Sequence, residues 1–181
     1  MNAGTMVKAP PMLAVFACLT VFGWGELTGA LQGGFRNQIL ATAAEAAKAH
    51  PETHQLTGLS DVDQTIVEGI AQETLARLHL FHTHTHGLAL VTLVLVTVIA
   101  NMELTVRLRT VLTGWTALGL LYPFGWLTLA LALPSHGKGA AFALAERWFF
   151  IPFGGLYLLA VGTLIALYAW QLLQKTVKRE A

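Results

Sequence analysis

Four of the seven histidines in this chain lie within eight residues, in the segment LHLFHTHTHG at positions 78–87. A helix turns by about 100° per residue, so His79, His82 and His86 should fall within an arc of about 60° on one face. His82 and His86 are four positions apart, and side chains at that spacing are neighbours on a helix surface. His84 should lie roughly opposite this group and is expected to face another helix or a loop.

These residue types suggest metal chemistry. Neutral imidazole is a good ligand for zinc, copper and iron, including haem iron, and its second ring nitrogen usually bonds a carboxylate or a carbonyl group. Unpaired histidines at the mouth of a membrane bundle are costly. The cluster therefore predicts a site for haem b or for a Cu, Fe or Zn ion that uses His79, His82, His84 and His86. The alternative is a set of interfacial or structural histidines, whose apolar ring and polar tip suit a membrane boundary.

The composition is that of a membrane protein. Hydrophobic residues make up 55% of the 181 residues, charged residues make up only 12%, and the mean hydropathy is +0.59. Soluble domains carry about 25% charged residues, so lipid must cover much of this surface. The net charge is +1 and no basic patch is present, which excludes a nucleic-acid partner. The one cysteine, Cys18, lies in an apolar run and cannot form an intramolecular disulfide.

Four stretches reach the length of about 20 mostly apolar residues that a spanning helix needs. They cover approximately residues 11–31, 86–106, 110–133 and 148–173. The predicted fold is all-α, a single integral membrane bundle of four transmembrane helices with a helical outer loop over residues 32–85. The first stretch could instead be a cleaved signal peptide, but it is long, and Trp24 and Glu26 lie within it.

Lysines and arginines near the helix ends predict the orientation of the chain. They precede the first span, fill the short turn between the second and third spans, and follow the fourth. With four spans these three places share one side, which should be cytoplasmic. We therefore expect a multi-pass protein of a bacterial inner membrane with both termini in the cytoplasm. The basic residues concerned are Lys8, Arg107, Arg109, Lys175, Lys178 and Arg179.

The outer loop is expected to contain two helices. Residues 37–49 are rich in alanine and predict a short helix, which the proline that follows His50 should end. A second helix should begin near Ser60, the expected N-cap. Since no proline follows it, this helix should run unbroken into the second span. His50 and His54 lie between the two helices and are expected to be solvated.

The predicted topology brings further polar residues to the level of the histidines. Glu26 lies in the outer half of the first span, where a carboxylate is expected to orient a ligand or move protons. His136 is the only histidine elsewhere that could supply a second axial haem ligand. Glu146 could also act as a ligand, or could pair with Arg147 or Lys138. One helix supplies only one axial ligand per haem, so a non-haem metal is at least as well supported as haem.

Other features are expected to be architectural. Eight glycines should permit close helix packing, and Pro123 should kink the third span. An aromatic stripe at Tyr122, Phe124 and Trp126 could wall a flat ring such as haem or quinone, although core packing is the simpler account. The eight glycines are Gly23, Gly25, Gly29, Gly114, Gly119, Gly154, Gly155 and Gly162.

Two segments resemble known membrane proteins. Gly25-Glu26-Leu27-Thr28-Gly29, followed by Leu80-Phe81-His82-Thr83-His84 at the start of an apolar helix, resembles a family of small, uncharacterised four-helix bacterial membrane proteins with a Leu-His-Thr-His motif. More loosely, the His-x-His-x-x-Gly pattern is similar to helices in relatives of haem–copper oxidases and in NnrS-type membrane proteins. The first resemblance implies no settled activity. The second implies haem or copper at the histidines of this motif.

Three functions are consistent with these patterns. The first is a metal- or haem-binding membrane protein related to redox chemistry or electron transfer. The second is a factor that handles or assembles copper, zinc or haem, and the third is an accessory subunit of a larger membrane complex or homo-oligomer. The chain has no H-E-x-x-H motif and no nucleotide-binding loop, so an enzyme acting alone is the least favoured function. A metal-dependent oxidase is kept as an alternative.

Overall fold

The computed structural model describes residues 7–180, with side chains described as far as Gln174. Within these residues every regular element is helical, which confirms the predicted all-α class. The elements are α1 (Met12–Gly34), α2 (Arg36–Lys48), α3 (Ser60–Asn101), α4 (Val106–Leu118), a 3-10 turn (Gly119–Leu121), α5 (Phe124–Ala145), a π-helical segment (Glu146–Gly154) and α6 (Gly155–Glu180). The 3-10 turn interrupts the α-helical hydrogen bonding just before Pro123, where a kink was predicted, while Tyr122 and Pro123 keep helical dihedral angles.

Three helical stretches are long and apolar enough to cross a membrane, which indicates a membrane protein. They are Met12–Gly34, Ser60–Asn101 and Val106–Gln174. Large apolar side chains lie exposed along all three, more than the surface of a soluble monomer normally carries. Examples are Leu13, Phe16, Val94, Leu131, Leu158 and Ile165.

Helix α3 is continuous over 42 residues, which confirms the predicted unbroken helix. At a rise of 1.5 Å per residue it is about 63 Å long, roughly twice the thickness of the hydrocarbon core of a bilayer. Its first half carries most of its polar residues, and its second half, from His86, is almost wholly apolar. The polar half therefore extends beyond the apolar part of the bundle.

The expected cap at the start of α3 is wrong. Ser60 is already helical, and its hydroxyl donates to Asp61 Oδ1 at 3.2 Å. No side chain caps the helix at Leu59, but the carboxylate of Asp63 accepts hydrogen bonds from the backbone N–H groups of Thr57 at 2.7 Å and Gly58 at 2.8 Å, which precede the helix. A longer-reaching acidic residue inside the first turn thus holds the preceding segment onto the helix end.

The last apolar stretch folds back on itself at Gly137, whose φ of 73° lies in the left-handed region that glycine adopts without strain. Residue pairs that touch across the two arms are placed symmetrically about position 138, so the arms are antiparallel. Residues 134–147, which separate the third and fourth predicted spans, are helical on both sides of Gly137, because 140–145 is rich in the helix-forming residues alanine and leucine. The touching pairs are Trp126 with Phe150, Gly119 with Tyr157, and Leu112 with Leu164.

Helix α3 lies at the centre of the molecule, with α1 packed on one side, α5 on another and α2 along its polar half. One buried cluster joins α1, α3 and the 3-10 turn, a second joins α3, α4 and α6, and a third lies along α5. The first contains Cys18, Val21, Ala89 and Leu120; the second Ile99, Met102, Leu112 and Leu164; the third Leu129, Leu133, Ala141 and Ala145.

Three distant parts of the chain meet at one end of the bundle. The backbone N–H of Lys8 donates to Asn101 Oδ1 at 2.7 Å, and Asn101 Nδ2 donates to the Lys8 carbonyl at 3.0 Å. Gln171 Nε2 in α6 donates to the backbone carbonyl of Glu103 at 3.3 Å. We call this the basic end, because Lys8, Arg107 and Arg109 belong to the segments that meet there. Asn101, Glu103 and Gln171 lie at the same end.

Candidate histidine site between α1 and α3

Three histidines lie side by side on the face of α3 that packs against α1. The rings of His82 and His86 are in edge-to-face contact, with centroids 4.4 Å apart at an angle of 85°. The ring of His79 lies one turn away, 6.1 Å from that of His82. The grouping of His79, His82 and His86 on one face is confirmed.

A hydrogen bond to α1 sets the protonation pattern of His82. Its Nδ1 lies 2.8 Å from the backbone carbonyl oxygen of Gly25. Because a carbonyl only accepts hydrogen bonds, Nδ1 must carry the proton. In the neutral ring Nε2 then keeps its lone pair, which is the arrangement found in histidines that bind metals through Nε2.

Two glycines of α1 allow this close approach. A Cβ atom on Gly29 would lie 2.5 Å from His82 Cε1, and one on Gly25 would lie 2.4 Å from Thr85 Oγ1. Both distances are too short for any side chain, so the predicted role of Gly25 and Gly29 in close packing is confirmed. The same prediction is wrong for Gly23, Gly114, Gly155 and Gly162, where a Cβ atom would meet nothing within 4 Å. Thr85 is fully buried in the seam, and its hydroxyl donates to the Phe81 carbonyl of its own helix at 2.9 Å.

His86 faces the carboxylate of Glu26. Its Nε2 lies 3.1 Å from Glu26 Oε1, close enough for an ion pair, but the geometry does not make a hydrogen bond, and this buried nitrogen has no other partner among the described residues. The His86 side chain is 20% exposed and that of Glu26 is 63% exposed. The ring of Phe22 closes the inner side, with its centroid 4.6 Å from that of His86. The imidazole of His86 is therefore largely shielded from solvent, whereas the carboxylate of Glu26 is accessible to it.

His84 belongs to a different environment. Its Nδ1 is bonded to the Leu80 carbonyl of its own helix at 2.8 Å, and its ring lies 5.5 Å from that of Trp126 and 6.0 Å from that of Tyr122. It thus faces α5 and the turn before it, as its position opposite the other histidines predicted. The structure does not bring His84 to the same site as His82 and His86.

His136 and Glu146 are not brought to the histidines either. Both side chains are exposed. Lys138, two residues from His136, forms an ion pair of 3.0 Å with Glu73, rather than with Glu146. Glu73 precedes His82 by nine residues, or about 13 Å along α3. His136 therefore lies beyond the level of His82 and His86, and no residue in the described part of the chain supplies a second axial histidine beside them.

One histidine, His54, has a hydrogen-bond partner that the sequence did not predict. His54 was expected to be solvated, but it is half-buried, and its Nε2 lies 2.7 Å from the Pro134 carbonyl of α5. That carbonyl is freed by the break at Gly137, because the backbone beyond it leaves the helical path. The contact links residues 80 positions apart, which local patterns cannot reveal. His50, just beyond the end of α2, is exposed, and its Nδ1 lies 2.8 Å from the Ala46 carbonyl of that helix.

A charged and aromatic cluster between α3 and α5 was also missed. The guanidinium of Arg77 lies 5.8 Å from the ring of Trp126 and 5.6 Å from that of Phe142, and it pairs with Glu73. A protein side chain packs against the predicted aromatic wall, since the Phe150 ring lies 4.9 Å from that of Trp126. The aromatic stripe is therefore core packing in this structure.

The side chains as placed do not form a finished metal site. Among the described residues, no group of three or more His, Cys, Asp or Glu side chains is arranged to hold a metal ion. His82, His86 and Glu26 would need side-chain rotation to share one. Comparisons with protein-family models, with curated proteins and with solved structures found no match to this chain.

Proposed function

We propose that this chain is a multi-pass membrane protein that binds one Zn, Cu or Fe ion through His82, His86 and Glu26. The hydrogen bond from His82 Nδ1 to the Gly25 carbonyl is the observation that carries the proposal. It orients the ring and leaves the Nε2 lone pair free, which is what outer-shell partners do for metal-binding histidines. A copper or iron ion held there would support electron transfer.

The contact between His86 and Glu26 supports the same site. Two ligands bound at 2.0–2.2 Å to one tetrahedral ion lie about 3.3–3.6 Å apart. His86 Nε2 and Glu26 Oε1 lie 3.1 Å apart and are not hydrogen-bonded. A small outward rotation of the exposed carboxylate would admit an ion between them. A buried imidazole nitrogen without a hydrogen bond is costly, and a bound ion would remove that cost.

The arrangement favours a non-haem ion over haem b. The two axial ligands of a haem approach from opposite faces of the ring, whereas His82 and His86 lie on one helix face in mutual contact. His84 packs against Trp126 on the other face. His136 lies beyond the level of the cluster, since its neighbour Lys138 pairs with Glu73.

We further propose that the bundle crosses a bacterial inner membrane four times, with both termini in the cytoplasm. The crossings would be α1, the apolar half of α3 and the two antiparallel arms on either side of Gly137. The meeting of the N-terminal segment, the α3–α4 turn and α6 at the basic end supports this arrangement. An excess of Lys and Arg near helix ends is typical of the cytoplasmic side.

Metal handling is the second candidate, and the exposure of Glu26 favours it. A ligand that is 63% exposed leaves the ion open to a donor or an acceptor protein. The two candidates differ in how fast the ion leaves. Loss to a chelator within seconds would indicate transfer, and retention over hours would indicate a resident redox ion.

The test is the metal content of untagged protein purified in detergent, measured by elemental analysis and by titration with Co²⁺. We expect the wild-type protein to bind one ion per chain and to give visible ligand-field bands with Co²⁺. The double variant His82→Ala with His86→Ala should bind none, and Glu26→Gln, which removes a direct ligand, should weaken binding by more than the roughly 10–100-fold that loss of an outer-shell partner costs. The matched control is His50→Ala, a solvent-exposed histidine of the outer segment.

Full metal occupancy in the double variant would remove this site assignment. A Soret band with sharp bands after reduction by dithionite would contradict the non-haem site. Equal loss of metal in the control would show that binding reflects histidine content rather than this site. Circular dichroism on each variant verifies that the helices remain intact.

A further inference from the structure

A groove of about 610 Å³ separates α1 from α4 at the basic end of the bundle. Its volume lies within the range of about 300–1,000 Å³ typical of small-ligand sites. Its walls are small or apolar except for three polar side chains of α4, Arg109, Thr110 and Thr113. Residues that line it include Pro11, Ala14 and Ala17 from the α1 side and Arg109, Thr113 and Gly114 from α4.

Thr110 donates to the Val106 carbonyl at 3.0 Å, but Arg109 and Thr113 carry atoms that lack partners. Arg109 uses one terminal nitrogen, Nη2, to donate to the carbonyls of Met102 at 3.2 Å and Leu104 at 3.4 Å. Its Nε is buried and has no hydrogen-bond partner among the described residues, and the same is true of Thr113 Oγ1. Buried polar atoms of native proteins nearly always have a partner. Two such atoms on one groove indicate a polar ligand group.

The charge around the groove is positive. Arg109 lies on its wall, and Lys8 and Arg107 belong to the neighbouring segments of the basic end. Glu103 is the single acidic residue of the turn between α3 and α4. The ligand that suits an apolar groove with a cationic mouth has an anionic head and an apolar tail.

We propose that this groove binds one acyl chain of an anionic phospholipid, with its phosphate at Arg109. Thr113 follows Arg109 by four residues and lies one helical turn, about 6 Å, further into the apolar part of α4. That depth suits a hydroxyl that donates to an ester carbonyl, because the esters of a phospholipid lie between the phosphate and the tails. The inner walls of alanine, leucine and glycine fit a methylene chain.

The experiment is native mass spectrometry of the full chain in mixed micelles that contain phosphatidylglycerol and phosphatidylcholine with identical acyl chains. We expect one phosphatidylglycerol molecule to be retained per chain, several-fold over phosphatidylcholine. Arg109→Gln should remove this preference. Arg107→Gln, which changes an exposed arginine of the same turn, should preserve it.

A second pair of variants tests the groove without touching Arg109, which also bonds two backbone carbonyls. A Cβ atom on Gly114 meets nothing within 4 Å, so Gly114→Leu should fill the groove and displace lipids of both kinds. Gly162→Leu, in α6, has equal space at its Cβ and does not line the groove. It should leave lipid retention unchanged.

Three outcomes would overturn the proposal. Equal losses in Arg107→Gln and Arg109→Gln would show that surface charge alone holds the lipid. Wild-type retention in Gly114→Leu would place the lipid elsewhere. A dimer that carries no lipid would show that a second copy covers the groove.

Discussion

At the scale of single residues, the contact between His82 and Gly29 decides how α1 and α3 meet. The ring of His82 occupies the space that any side chain at position 29 would need. The same approach brings Nδ1 within reach of the Gly25 carbonyl. One glycine therefore supports both the packing of the seam and the orientation of the proposed metal ligand.

Gly29→Ala should destabilise the bundle and displace His82. The added Cβ would lie 2.5 Å from His82 Cε1, and overpacking of this kind costs typically about 1–3 kcal/mol. Thermal unfolding in detergent should show a lower Tm and weaker metal binding. Gly23→Ala is the matched control on the same helix, because its Cβ would meet nothing within 4 Å. Equal unfolding temperatures for the two variants would contradict the tight contact.

At the scale of elements, the start of α3 depends on a single carboxylate. Asp63 lies in the polar first turns of α3, before its apolar half. The backbone N–H of Thr57, with the Thr57 hydroxyl and the Gly58 N–H, holds the pKa of Asp63 below its usual value. These bonds fasten the segment between α2 and α3, which also reaches α5 through His54.

Acidification should release this segment. Since the pKa of Asp63 in the folded protein lies below its unfolded value of about 3.9, the stabilisation is present at neutral pH. It is lost as the pH falls through the folded pKa. Asp63→Asn should mimic that loss at pH 7, seen as faster hydrogen exchange at the Thr57 and Gly58 amides after correction for intrinsic rates. Asp61→Asn is the control, and faster exchange in it too would contradict a specific role for Asp63.

At the scale of the whole molecule, an ion cluster ties the polar half of α3 to α5. Glu73 pairs with Arg77 of its own helix and with Lys138, just beyond the reversal at Gly137. The side chains of Glu73 and Arg77 are 27% and 21% exposed, so water screens them only partly. Trp126 and Phe142 flank the guanidinium. The cluster therefore couples the outer helices to the apolar arms.

Glu73→Gln should destabilise the protein by about 1–2 kcal/mol. This value lies between the 0–1 kcal/mol of an exposed pair and the 3–5 kcal/mol lost when one partner of a buried pair is removed. Chemical unfolding in detergent measures it. Glu45→Gln provides the comparison, because Glu45 and Lys48 form an ion pair with side chains 75% and 58% exposed. An equally small effect in both variants would show that the Glu73 cluster is a surface feature.

The proposed four crossings predict which positions a membrane-impermeant maleimide reaches. In a Cys18→Ala background, Glu52→Cys should react in intact spheroplasts, and Glu103→Cys should react only after lysis. If both positions are labelled in intact cells, the proposal that the chain crosses the membrane an odd number of times between Glu52 and Glu103 is refuted. The reverse pattern would keep the crossings and overturn the cytoplasmic assignment of the termini.

The sequence by itself determined the features that depend on neighbours along one helix. The scarcity of charge implied lipid contact, the absence of proline predicted an unbroken α3, and helical periodicity placed His79, His82 and His86 on one face and His84 on the other. Gly25 and Gly29 were identified as sites of close packing. All of these follow from composition or from the 3.6-residue turn, which is a local property.

Only the tertiary structure decided which partner each polar group meets. It placed His82 against the Gly25 carbonyl, His54 against the Pro134 carbonyl and Lys138 against Glu73. Periodicity predicts the face on which a side chain lies, but not which distant helix covers that face or at what height. Those choices depend on the fit between surfaces that are far apart in the chain, such as a glycine that admits an imidazole ring.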